Sequence, residues 1–260
     1  MTMMPKTEGK KRLLVATCIY GVDPIPYASH LNMFYKLGKD LPNWDVIFSG
    51  PWRMPIDVAR NRAAKVALEE ECDYLFFYDD DMVTHPAVVE RLLKHVEREE
   101  IHIISAKVFI RGRPFNTMIF RFDDPDKLGL FEPKPEDIDE NGLVKCGAVG
   151  CASTLIDTQL FKMTPEPWFL TGAHNTEDVY FCMKAADHIS GIEIRMDMNT
   201  ECGHMLDKPI LSTASKSVLT KIQDQGLDAI WQPNFSGKEV IATFKDDDFE
   251  SDDFDVTPSN

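Results

Sequence analysis

Apolar positions along this chain come in short compact runs, and between the runs they recur at helical spacing. Lys11–Ile19 is such a run, ending at Tyr20-Gly21 with Pro24 and Pro26 close behind, and it predicts a buried strand followed by a loop. Tyr27–Leu41 has helical spacing, and Trp44–Phe48 predicts a second strand closed by Ser49-Gly50-Pro51. Pro55 then opens a strong helix over Pro55–Glu71, with proline in its favoured first-turn position. Tyr74–Tyr78 predicts a third strand, Pro86–Glu99 a helix, and His102–Phe109 a fourth strand. Alternation of this kind with short connections predicts an α/β fold: one mostly parallel central sheet flanked by helices.

The middle of the chain is less regular. Arg111–Arg121 reads as a strand pair, and Asp123–Asn141, rich in proline and acid, as a surface loop or insertion. Leu143–Ile156 is apolar and rich in small residues, which predicts a strand with tight backbone packing. Thr176–His188 reads as a helix and Glu193–Met198 as another strand, after which the pattern weakens. The organisation expected is a flexible start (1–10), one domain over 11–205 divided near residue 110, an extension or lid (206–245) and a disordered acidic tail (246–260).

Composition narrows the class. The 260 residues suit one substantial α/β domain and are too few for two independent enzyme domains. No apolar run approaches the roughly 18 to 20 residues that span a bilayer, and the start carries no secretory pattern, so a soluble cytoplasmic chain is expected. Net charge is −15, and seven acidic residues fall within Asp246–Asp255 alone. The rest of the chain is still acidic, which argues against a broad electrostatic grip on nucleic acid. Six cysteines form no C-x-x-C pair and read as buried free thiols.

Candidate chemistry concentrates where strands end. In open α/β sheets ligands bind beyond the carboxyl ends of the strands. Tyr74–Tyr78 runs directly into Asp79-Asp80-Asp81, and alternation lets Asp79 and Asp81 converge while Asp80 points away. Converging carboxylates repel, and a divalent cation relieves the repulsion; Mg²⁺ or Mn²⁺ held by one or two carboxylates plus phosphates is a common arrangement. D-x-D recurs at Asp137–Asp139, Asp246–Asp248 and Asp253–Asp255, but only the copy at 79–81 follows a buried strand.

The helix before it places Asp57, Arg60, Asn61 and Ala64 on one face, opposite a stripe of Ile56, Ala59, Ala63, Val66 and Ala67 suited to packing on the sheet. On that reading Arg60 neutralises a phosphate and Asn61 bonds a base or ribose. Thr176 suits a helix cap with Glu177 and Asp178 in the first turn, after a loop holding Trp168, Gly172 and His174. Cys202-Gly203-His204 follows a strand, where a neutral imidazole can complete a metal shell.

Taken in order, D-V-A-R-N-R-A (57–63), Y-L-F-F-Y-D-D-D-M (74–82), G-x-x-x-x-L-I (150–156), T-E-D-V-Y-F (176–181) and C-G-H (202–204) resemble a GT-A-fold glycosyltransferase. The likeness spans residues 11–205 and is nearest to the small family-2-like enzymes of bacteria and bacteriophages. It implies a metal-dependent transfer of sugar from a nucleoside-diphosphate sugar to an acceptor hydroxyl. Asp79 would lie near the ribose or base, with Asp80 beside it. Asp81 would bind Mn²⁺ or Mg²⁺ with Asp79 and His204. Arg60 and Asn61 would line the nucleotide pocket, and Thr17 and Tyr20 would occupy the donor-base loop. Asp178, with Glu177 beside it, would face the acceptor, as base in an inverting enzyme or orienting group in a retaining one.

The acceptor is open on this reading, a glycan or a modified base of phage DNA, the latter implying a host cytoplasm. Phe249 and Phe254 among the acids of the tail resemble partner-recruiting tips, so a partner protein is one expectation for that segment. Two other functions compete: a nucleotidyltransferase on a related sheet, and a sugar- or nucleotide-binding module without turnover.

Overall fold

The apolar runs are strands covered on both faces. The computed structural model describes residues 5–21, 23–112, 114–124, 127–172, 176–206 and 210–211. Its elements are β1 (Lys11–Ala16), α1 (Pro24–Asp40), β2 (Trp44–Ser49), α2 (Ile56–Glu69), β3 (Tyr74–Tyr78), β4 (Met82–Thr84), α3 (Val88–Val96) and β5 (Ile103–Lys107). There follow β6 (Ile119–Asp124), β7 (Lys127–Leu130), β8 (Leu143–Lys145), β9 (Ala148–Val149) and β10 (Ser153–Asp157). The last are α4 (Gln159–Met163), α5 (Glu177–His188), β11 (Ile194–Met205) and β12 (Ile210–Leu211).

The central sheet has the order β12-β11-β5-β10-β3-β1-β2, with β4 and β8 also paired to β11, and β7-β6-β9 form a second small sheet. β1 runs parallel to both β2 and β3, and β11 runs parallel to β5. β10 lies antiparallel between β3 and β5, so the mostly parallel sheet carries one reversed strand at its heart. Side chains alternate between two cores. Leu14, Ala16, Leu75 and Phe77 face α2, α4 and α5, whereas Leu13, Val15, Phe76 and Tyr78 face α1 and α3. Burial on both faces is why these strands read as continuous apolar runs rather than alternating ones.

Several boundaries differ from the sequence expectation for identifiable reasons. Helix α1 begins at Pro24 because the Asp23 side chain accepts from the Ile25 amide, so the prolines read as loop residues form the first turn instead. The segment expected to be loop after Asp123 contributes β7, which pairs with β6 in a hairpin, and residues 135–137 form a short 3₁₀ turn. β11 continues past Met198 to Met205, with a register shift between Asp197 and Glu201. On α2 the buried face is rotated from the expected stripe: Arg60 and Ala64 are inside, while Ile56 is 37% exposed. His174, most of the expected extension 206–245 and the acidic tail with Phe249 and Phe254 lie outside the described residues.

Candidate functional site

The parallel strands β1, β2, β3 and β11 all end at one edge of the sheet, and the β9–β10 turn meets them there because β10 runs the other way. The Asp79 amide donates to Ala152 O at 2.9 Å, which ties the end of β3 to that turn. α2 and α5 begin near this edge, so stretches far apart along the chain converge there.

Arg60 is the hub. It is 2% exposed, and its guanidinium is surrounded by acceptors, with Cys18 Sγ 4.0 Å from Nη1. Nε donates to Glu177 Oε1 at 2.9 Å, Nη2 to Asp79 Oδ2 at 2.9 Å, and Nη1 to Cys151 O at 3.4 Å. Its Cζ also sits 4.9 Å from the Phe77 ring centre, a cation–π contact. A buried guanidinium needs this number of acceptors, since an unpaired charge inside a protein is very costly. Arg60 therefore joins the end of β3 to the start of α5. Burial pushes the Asp79 carboxyl up and Arg60 pulls it back, with a net rise. The other oxygen of Asp79, Oδ1, is buried without a hydrogen-bond partner among the described residues.

Asp81 and His204 form a second centre. His204 Nδ1 lies 2.7 Å from Phe109 O, and a carbonyl only accepts, so Nδ1 carries the proton. That leaves Nε2, 3.2 Å from Asp81 Oδ2, as the nitrogen that faces the carboxylate. Arg111 Nη1 approaches the same oxygen at 3.1 Å. Burial raises the Asp81 carboxyl, but the hydrogen bond from His204 and the charges of His204 and Arg111 outweigh it and hold Asp81 below the usual carboxylate range.

Asp80 serves the β1 exit. Its Oδ2 accepts from the Tyr20 amide at 2.6 Å and the Gly21 amide at 2.9 Å. The Tyr20 ring is left 78% exposed beside the strand ends. Thr17 is buried, donates its amide to Ser49 O at 2.9 Å, and has a side-chain oxygen with no partner among the described residues. Asn61 faces the scaffold: Nδ2 donates to Asp57 O and Phe169 O, and Oδ1 accepts from the Trp168 and Phe169 amides. Its amide is thereby fully engaged in holding the 168–169 loop.

The acidic pair on α5 divides. Glu177 is buried and turned to Arg60. Asp178 is half-buried; its Oδ1 accepts from the Val179 amide and the Thr176 hydroxyl, and its Oδ2 from the Cys151 amide at 3.3 Å. Gly150, beside Cys151, makes room for Met118: a Cβ there would lie 1.8 Å from Met118 Sδ, while Asp178 Oδ2 would be at ordinary contact distance, 3.4 Å.

The structure thus gathers Arg60, Asp79 and Glu177 in one group, Asp81 and His204 in another, and Asp80 with Tyr20 in a third. Among the described residues no three His, Cys, Asp or Glu side chains gather in metal-holding geometry. Asp81 and His204 meet as a pair, while Asp79 is engaged by Arg60. Arg111 escaped the sequence reading. Its signal was present: a basic R-G-R triplet (111–113) at the exit of a strand, in a chain of net charge −15.

No protein family matches the sequence, and no curated protein matches it either. Its fold is similar to that of A197 from STIV, at a TM-score of 0.54 and 16% identity, over 77% of this chain and 93% of that one. TarS residues 1–349 from S. aureus is more distant: the TM-score is 0.40 at 14% identity over 73% and 60% of the two chains, and nothing rests on it. The chain has a GT-A-like α/β fold with a large, mostly parallel sheet flanked by helices. Among the described residues no helix is long and apolar enough to cross a membrane.

Proposed function

We propose that this chain is a metal-dependent glycosyltransferase that moves a sugar from a nucleoside-diphosphate sugar to an acceptor hydroxyl. The fold is one reason, and the order of motifs along the chain is another. The observation that carries the reading is the orientation of His204. With Nδ1 donating to Phe109 O, Nε2 is turned toward a carboxylate oxygen 3.2 Å away, so a ring nitrogen and a carboxylate face the same point. A ring nitrogen and a carboxylate so placed share either a proton or a cation. A carbonyl fixing the outer nitrogen is the usual way a histidine ligand is oriented.

Asp81 and His204 would hold Mn²⁺ or Mg²⁺, and two protein ligands suit a cation whose remaining ligands are phosphate oxygens and water. Bound there, the cation supplies charge that stabilises the departing diphosphate. The chain's own residues do the rest. Asp80 fixes the backbone under Tyr20, whose exposed ring is available to a nucleobase. Arg60 holds Asp79 Oδ2, and the buried, unpartnered Oδ1 is the acceptor a donor hydroxyl would meet once donor binding uncovers it.

Glu177 is neutralised by Arg60, so Asp178 is the carboxylate left to take a proton from the acceptor or to orient it. Calorimetric titration of UDP, GDP and UDP-glucose with and without Mn²⁺ tests the reading. Nucleotide binding that tightens with Mn²⁺ supports it, and the absence of any cation-dependent binding would falsify it. Asp178→Asn separates transferase from binding module: nucleotide affinity stays and turnover disappears.

A further inference from the structure

One oxygen of Asp81 faces two nitrogen-bearing partners, an imidazole and a guanidinium. His204 Nε2 is 3.2 Å away and Arg111 Nη1 is 3.1 Å away, both from Oδ2. Both partners are tied to the exit of β5, although His204 itself stands on β11. Phe109 provides the carbonyl that fixes His204, and Arg111 stands two residues further on. The base of this loop is secured. The Ile110 amide donates to Asn116 O at 2.9 Å, the Phe115 amide to Gly112 O at 2.9 Å, and Phe115 is buried at φ 62° against Phe109 and Leu206. Arg111 itself has a side chain 59% exposed. It is a long, exposed cation on an anchored stem, aimed at the carboxylate assigned to the metal.

A divalent cation binds a carboxylate oxygen at about 2.0–2.2 Å, and a guanidinium against the same lone pairs is repelled by it. Resting on the metal-dependent reading above, we propose that Arg111 is the resident counter-ion of Asp81. The divalent cation displaces it, and the guanidinium then pairs with the diphosphate of the donor. Guanidinium suits that second role because its planar fork matches phosphate oxygens and never loses its charge. Arg111 therefore weakens binding of the cation alone and strengthens binding of the nucleotide once the cation is present. Charge at Asp81 stays balanced at both stages.

The two effects have opposite signs, and neither readout is turnover. Free Mn²⁺ is titrated by electron paramagnetic resonance against the unaltered chain, Arg111→Ala and Arg121→Ala. The last is a control, an exposed arginine paired to Asp137 instead. UDP and GDP are then titrated calorimetrically at saturating Mn²⁺. Arg111→Ala is expected to bind Mn²⁺ about two- to fivefold more tightly, the range for a partly exposed ion pair, and to bind the nucleotide more weakly by at least as much. Arg121→Ala should match the unaltered chain in both titrations.

Mn²⁺ affinity in Arg111→Ala equal to or below that of the unaltered chain overturns the inference and leaves the metal reading standing. Tighter Mn²⁺ binding with unchanged nucleotide affinity overturns the transfer to the diphosphate. Failure of every form to bind Mn²⁺ sinks the metal reading and the inference together.

Discussion

His204 Nε2 lies 3.2 Å from Asp81 Oδ2, although 123 positions separate the two residues in the chain. The contact exists because β4 (Met82–Thr84) and β11 pair antiparallel, with His204 opposite Met82, the neighbour of Asp81. If this pair holds a cation, His204→Ala should remove the Mn²⁺-dependent part of UDP binding, with a loss of roughly tenfold or more in metal affinity. Even outer partners of a metal site are worth that much. Calorimetry with and without Mn²⁺ checks it, and unchanged cation dependence in the variant would count against the pair.

Arg60→Met leaves Glu177 and Asp79 as unpaired carboxylates around an apolar side chain. Removing one partner of a buried ion pair costs about 3–5 kcal/mol, and the low end applies because the Asp79 side chain is 21% exposed. Urea unfolding should show this loss, and adding Asp79→Asn and Glu177→Gln should recover a good part of it. No recovery in the triple variant would mean that Arg60 matters through packing on Phe77 rather than through charge.

Gly150→Ala should disturb the wall that positions Asp178. The new methyl would sit 1.8 Å from Met118 Sδ and 2.6 Å from its Cγ, so Met118 must move. Overpacking of this kind costs about 1–3 kcal/mol. The expected pattern is lower turnover at retained nucleotide affinity, with stability restored by adding Met118→Ala. A single variant as stable as the unaltered chain would show that the thioether finds room elsewhere.

His30 gives the chain an acid sensitivity of predictable sign. Burial pushes its imidazole below the ordinary 6.5, the bond to Pro26 O opposing it; the ring packs 4.2 Å from that of Tyr78, and Nε2 has no partner among the described residues. Below pH 6.5 the unfolded chain takes up a proton that the folded chain resists, so this contribution is intact above that pH and declines as pH falls through the window beneath it. Melting temperatures at pH 7.5 and pH 5.5 should therefore differ less in His30→Phe than in the unaltered protein. Identical differences would rule out His30 as the source.

All six cysteines are free and buried. Burial pushes Cys18, Cys72 and Cys182 up to about 12 and Cys202 up to about 11, and it raises Cys146 and Cys151 further. Thiolate is the reactive form, so a disulfide reagent at pH 8 should label none of them in the native protein within minutes and all six after denaturation. Rapid native labelling of any one would locate a segment that opens readily.

The sequence by itself determined the α/β alternation, the residues of β3 and the placement of Asp79–Asp81 at its exit. A strand covered on both faces requires an uninterrupted apolar run, and its carboxyl end is where the run stops. It also placed Glu177 and Asp178 at the start of α5, because Thr176 and the acids suit a helix N-terminus. What it left undecided was the partner of each charge. Helical spacing set Arg60 apart from the packing stripe of α2, yet the side chain is buried, because Asp79 and a glutamate 117 positions away neutralise it. Arg111 acquires its meaning from Asp81 in the same way, and β10 takes its reversed place between β3 and β5 only in the assembled sheet. Periodicity records how deeply a side chain is buried. The charge that makes burial affordable comes from a distant stretch of chain, and the tertiary fold alone brings the two together.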